Sequence, residues 1–147
     1  MKFSCDIEID LPINKVVELF NNPDNLKEWQ DGFEGIEHIS GTPGDVGAKT
    51  KMFYKSGKRN IVLTETILVN DLPDEFTGKY EAKEMVNTMK NTFHIISENK
   101  TRWNAEIEYT EFRGFMPKLM AKLMPGMFKK QVQKWLNQFK SFAENQS

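Results

Sequence analysis

Cysteine is almost absent from this sequence. Cys5 is the only one in 147 residues, so no intramolecular disulfide can form and a reducing compartment is the simpler expectation. Histidine is nearly as scarce: His38 and His94 stand far apart, and His94 shares its strand face with Thr88, Lys90 and Thr92, a face expected to meet solvent. No spacing of His, Cys, Asp and Glu matches a metal site, and no Ser/His/Asp or Cys/His signature is recognisable. Neither a metal nor a cofactor is expected. Long apolar runs are missing too. MKFSCDIEID holds no hydrophobic stretch for a signal peptide, and no segment reaches transmembrane length. Net charge is only −1, with a pI near 6.2, which argues against nucleic acid as the main partner. Repeats, linkers and low-complexity tracts are lacking. These absences together predict a soluble cytoplasmic protein, and the length fits one domain, residues 1–147, able to bury a real core.

What is present is periodicity. Phe3, Cys5, Ile7 and Ile9 alternate with Lys2, Ser4, Asp6, Glu8 and Asp10, the pattern of a half-buried strand. Pro12 then opens a short helix with Val16, Val17, Leu19 and Phe20 on its apolar side. Asn22-Pro23-Asp24 interrupts it, and Asp24 is placed to cap a second short helix through Leu26 and Trp29. Strand patterns follow over Phe33–Ser40, Ala48–Lys55, Asn60–Val69, Phe76–Ala82, Met85–Ile96 and Arg102–Phe112. Their short connections predict hairpins, hence an antiparallel sheet. Only one face of that sheet is consistently apolar, so it needs one cover.

The cover available is the segment Gly114–Glu144. Leu119, Leu123, Phe128, Val132, Trp135, Leu136, Phe139 and Phe142 fall in one broad helical stripe, largely opposite Lys118, Lys122, Lys129, Lys134 and Lys140. Pro125-Gly126 should break or kink this helix, because proline removes a backbone donor and clashes with the preceding turn. From residue 114 onward six Lys stand against one Glu, giving +5 and leaving −6 on the remainder. The plainer reading is a basic helix lying over an acidic sheet. The sharper one is a basic amphipathic helix that visits membranes or acidic partners.

The order of strand, two short helices, six strands and a long helix resembles the helix-grip superfamily of START-like and polyketide-cyclase-like (SRPBCC) domains. IDLPINKVVELFNNPDNLKEWQDGFEGIEHI is similar to that group's N-terminal signature, and GTPGDVGAKT to its glycine-containing turn. The resemblance covers essentially the whole chain. It implies an α+β fold in which a curved seven-stranded antiparallel sheet wraps around the long C-terminal helix. It also implies a cavity between them for a small hydrophobic or amphipathic molecule, and no single chemistry.

The same GTPGDVGAKT run superficially offers a phosphate loop. Ala48 breaks the required Gly-Lys-Thr spacing, and an alternating strand follows where a helix N-terminus is needed, so it reads as a hairpin. The inward-facing polar residues are more informative. Strand parity turns Thr50, Tyr54, Glu65, Tyr80, Asn87, Asn91 and Tyr109 toward the helix, among Met52, Met89, Trp103 and Ile107. Such groups either satisfy one another or furnish the fixed hydrogen-bonding points of an apolar cavity. Glu65, between Leu63 and Ile67, is either a desolvated carboxyl of raised pKa or a residue turned to solvent by a shifted register. In the first case Glu65 with Tyr54 or Tyr80 would suit the acid–base work of a cyclase or dehydratase. Met116, Met120, Met124 and Met127 precede the long helix as core filler or as a flexible cavity mouth. The expected lining therefore comprises Met52, Tyr54, Glu65, Tyr80, Asn87, Met89, Asn91, Trp103, Ile107, Tyr109, Met120, Met124, Phe128 and Val132. Three functions stay open: a ligand carrier, a cyclase- or dehydratase-type enzyme, and an interaction module using the basic helix. No sequence feature sets the ligand or the oligomeric state.

Overall fold

A computed structural model describes residues 1–146 of the protein. The first alternating segment forms β1 (Lys2–Ile9), burying Cys5 and Ile9 while Lys2, Ser4, Asp6 and Glu8 stay exposed. Pro12 precedes α1 (Ile13–Asn21), whose Val16 and Leu19 are buried. A 3₁₀ turn (Pro23–Asn25) then leads into α2 (Leu26–Trp29). The cap here differs from the sequence expectation. Asn22 caps the 3₁₀ turn, its Oδ1 accepting from the Asp24 amide at 3.0 Å, and α2 itself follows Asn25 without a side-chain cap, Asp24 being taken up inside that turn.

Six strands follow: β2 (Phe33–Ser40), β3 (Lys49–Ser56), β4 (Arg59–Asp71), β5 (Glu75–Glu81), β6 (Met85–Ser97) and β7 (Lys100–Phe112). All pairings are antiparallel, and the spatial order is β1-β7-β6-β5-β4-β3-β2. The meander from β2 to β7 pairs each strand with its successor, and β1 closes onto the free side of β7, from Lys2 opposite Glu108 to Ile9 opposite Thr101. The curved seven-stranded sheet and its long C-terminal helix are thus as the sequence predicts.

That helix comes in two pieces, α3 (Phe115–Leu123) and α4 (Gly126–Glu144). The break falls at Met124-Pro125, where Met124 leaves helical geometry (φ −135°, ψ 55°). One apolar stripe therefore does not run through both. Leu136, Phe139 and Ala143 of α4 are fully buried, Phe128 and Val132 only half so, and Leu123 of α3 is 65% exposed.

The core lies at one end of the concave face. Phe20 packs edge-on to Phe93 (5.1 Å between ring centres) and Trp103 (5.4 Å). Trp29 and Trp103 meet Phe139 at 5.4 and 5.2 Å, so α1, α2, the sheet and α4 converge on one aromatic cluster. Lys140 fastens α4 to β1, its Nζ donating to the Glu8 carbonyl at 2.7 Å and to Glu144 Oε2 at 2.7 Å.

Candidate functional site

The register of the sheet sets the site. Thr50 of β3 stands opposite Glu65 of β4, Glu65 opposite Tyr80 of β5, Tyr80 opposite Asn87 of β6, and Asn87 opposite Tyr109 of β7. Directly opposed residues project on the same side of a sheet. Five of the inward polar residues anticipated from parity thus form one transverse row. The row nearer the core is apolar, with Ile67, Gly78, Met89, Ile107 and Phe3 in succession.

Glu65 sits at the centre of the polar row. Its Oε2 accepts from the Tyr80 hydroxyl at 2.9 Å. Burial pushes its carboxyl above the ordinary glutamate value, and the Tyr80 hydrogen bond only partly opposes this by favouring the charged form. Among the described residues no Lys, Arg or His pairs with it. Tyr80 is itself raised well above a free phenol, first by burial and then by the Glu65 charge. Tyr54 is raised by the same two causes in the same order, and its hydroxyl donates to Gln30 Oε1 at 2.6 Å. The tyrosines therefore stay protonated and act as hydrogen-bond donors, and Glu65 is the one carboxyl of the row, holding its proton more tightly than a free glutamate does.

Two neighbours of this cluster lie outside the expected lining, although their patterns already turned them inward. Gly78 is the seat of Tyr80: a β-carbon built there would lie 2.7 Å from the Tyr80 hydroxyl oxygen and 2.9 Å from its ring. Trp135 of α4 stacks on Tyr54 at 5.9 Å and 18°, and its buried indole N–H finds no partner among the described residues. Its signal was the helical stripe, where it lies three residues beyond Val132. The Gln30 partner of Tyr54 had none.

The remaining expected lining divides into four groups. Met52 is buried beside Tyr54 on β3, Ile107 is buried, and Met89 and Asn87 are half-buried on the concave face. Tyr109 meets Phe128 at 5.0 Å and Phe112 at 5.3 Å, with Val132 half-buried one turn further along α4, and burial pushes the Tyr109 phenol up to about 12. Asn91 and Trp103 belong to the packed core, where the Trp103 indole donates to Asn91 Oδ1 at 2.9 Å and Asn91 Nδ2 to the Phe76 carbonyl at 3.2 Å. Met120 of α3 is half-buried and Met124 is 50% exposed.

The cover over the concave face is unequal. Around Trp103 and Phe139 it is complete, whereas Glu65, Tyr80, Asn87, Met89, Tyr109, Phe128 and Val132 keep partial solvent contact although they face inward. The concave face is thus closed at its aromatic end and keeps partial solvent contact along the polar row. Two open surface grooves lie elsewhere, one between α1 and the Leu72-Pro73 turn, the other between α2 and the end of α4. Their titratable side chains, including Glu18, Asp31 and Lys134, are exposed, so neither groove offers a desolvated reactive group. No cluster of His, Cys, Asp and Glu among the described residues has the geometry to hold a metal ion.

No family model matches the chain, and no curated protein matches it in sequence. Solved structures do match its fold. A protein from Thermus thermophilus is similar over 100% of this chain and 99% of its own, with a TM-score of 0.80 and 15% identity. The Zhui aromatase/cyclase from Streptomyces sp. R1128 is similar over 98% of this chain and 93% of its own, with a TM-score of 0.81 and 10% identity. A START superfamily protein from Mycobacterium smegmatis is similar over 99% of both chains, with a TM-score of 0.78 and 9% identity. The fold is thus the helix-grip fold that the sequence resemblance implied.

Proposed function

We propose that this protein binds a small amphipathic molecule in the cleft between the sheet and α4. The apolar body of the ligand rests against Met52, Met89, Val132 and Trp135, and its polar group meets Glu65 and Tyr80. The observation that carries this reading is the Glu65–Tyr80 pair: a half-buried carboxyl and phenol, 2.9 Å apart, without a cation, on a face otherwise lined by apolar side chains. Apolar walls with a few fixed polar groups are the usual make-up of a small-molecule site. The site's one charge-bearing group is acidic, so the ligand is neutral or cationic. An anionic head group would meet a like charge or force Glu65 to keep its proton. Neither nucleic acid nor metal is part of this function, and the lone buried Cys5 suits a cytoplasmic setting.

Titration of Trp fluorescence with naphthol, naphthylmethylamine and naphthoate tests this, since the three share an apolar body and differ in charge. Saturable binding is expected, with naphthoate weaker by about tenfold or more, the factor that about 1.4 kcal/mol carries. Tyr80→Phe should weaken naphthol binding. A flat titration with all three, or a preference for naphthoate, would sink the reading.

A second reading has one observation in its favour. Glu65, with its raised pKa and a phenol at 2.9 Å, is equipped to give a proton to a carbonyl or hydroxyl and take it back, as a cyclase or dehydratase requires. The neighbouring aromatase/cyclase fold agrees with such chemistry. In this reading Tyr80 orients the Glu65 carboxyl, while Tyr54, held by Gln30 and Trp135, shapes the cleft. Turnover of a bound polyketide-like substrate that disappears in Glu65→Gln while affinity persists would establish the enzyme over the carrier.

A further inference from the structure

Along α3, the break after it and the first turn of α4, apolar side chains lie open to solvent. Phe115 is 76% exposed, Leu123 65%, Met116 59%, Met124 50% and Met127 40%. Water-facing aromatic and aliphatic groups at this density within thirteen consecutive residues are unlike the scattered apolar residues of an ordinary surface. The helix touches the rest of the protein only lightly. Pro117 is buried and Leu119, Met120 and Ala121 are half-buried, so α3 has an inner face against the protein and a separate outer one. Gly114, at φ 87°, makes the turn from β7 that sets this orientation.

Charge identifies the occupant. Lys118, Lys122, Lys129 and Lys130 are all exposed around the apolar patch, and among the described residues none of them forms an ion pair. No acidic residue occurs between Arg113 and Glu144. A second copy of this chain fits poorly, because a two-fold contact would press one lysine cluster against another. No described helix is long and apolar enough to cross a membrane, and the patch belongs to a short helix lying on the surface. Apolar side chains flanked by lysines on a surface helix are the chemistry of a helix resting in a lipid head-group layer.

We infer that Phe115–Lys130 docks on an anionic lipid bilayer, with Phe115, Met116, Leu123 and Met124 entering the interface and the four lysines meeting the head groups. The docking itself does not depend on the ligand reading above.

Co-sedimentation of the full chain with vesicles of phosphatidylcholine, with and without phosphatidylglycerol, tests this. Binding is expected only to the mixed vesicles, falling as salt is raised. Phe115→Ser with Leu123→Ser should weaken it by about tenfold or more, and Lys118→Glu with Lys122→Glu should abolish it. These positions are exposed, so melting temperatures should stay unchanged and show that the variants fold. Three results would overturn docking: no binding to either vesicle, binding indifferent to both double variants, or Phe115/Leu123-dependent dimerisation without lipid binding. Naphthol affinity, measured in solution on the same variants, should be unaltered, so that loss of docking and loss of the ligand site register separately.

Discussion

Glu65 gives the clearest consequence at the scale of single residues. Its folded pKa lies above the ordinary 4.5, so between those two values the folded protein holds a proton that the unfolded chain has released. Stability therefore falls as pH rises from the ordinary value to the raised one, and is level on either side. Glu65→Gln keeps an acceptor for Tyr80 and removes the titration. It should be more stable than the parent at neutral pH and closest to it under acid, as urea melts across pH would show. Gly78→Ala makes a different point. Its methyl would sit where the Tyr80 ring now lies, so Tyr80 must swing away from Glu65, at about 1–3 kcal/mol of overpacking. Naphthol affinity should then fall as it does in Tyr80→Phe; an unchanged affinity would show that the phenol does not need this seat. The alternation from Ile61 to Ile67 offered an inward Glu65 but left a shifted register equally open, and only the ladder from Thr50 to Tyr80 decides between them. Val86 was not legible: it is buried at 4% because the ladder slips between Val86 and Asn87, and a bulge leaves no trace in a period of two.

Among the elements, the two halves of the C-terminal helix should behave differently. Phe139 is wholly buried between Trp29 and Trp103, and Phe139→Ala should cost about 3–5 kcal/mol in a denaturant melt. A loss under about 1 kcal/mol would mean that α4 is not the centre of the core. In α3, by contrast, Pro117 alone is buried, and amide exchange over 116–126 should be faster than over 129–142. Uniformly slow exchange would show α3 to be locked in place. The length of α4 and the break before it could be read from Pro125-Gly126 and the apolar spacing. That Leu123 leaves the stripe could not, because the change of direction at Met124 is set by backbone torsion and not by side-chain type.

On the scale of the whole molecule, the lysines that follow β7 fall into two populations. Lys134 pairs with Asp31 at 2.9 Å and Lys140 with Glu144 at 2.7 Å, while among the described residues Lys118, Lys122, Lys129 and Lys130 form no ion pair. Net charge alone could not separate the two; their positions relative to the Met124 break do. The hairpin order was legible from short connections, but the partner of β1 was not, since no local signal joins Lys2 to Glu108. That seam has a consequence in time. On a ribosome adding about 5–20 residues per second, β1 emerges first and β7 roughly 5–20 s later. Throughout that wait Cys5, Ile7 and Ile9 have no sheet to join, while β2 through β6 can already pair with their neighbours. The charges of Lys2, Asp6, Glu8 and Asp10, spaced between the apolar residues, then serve a nascent chain as well as a folded one: they keep an unpaired strand from adding itself to another molecule before its own partner has been made.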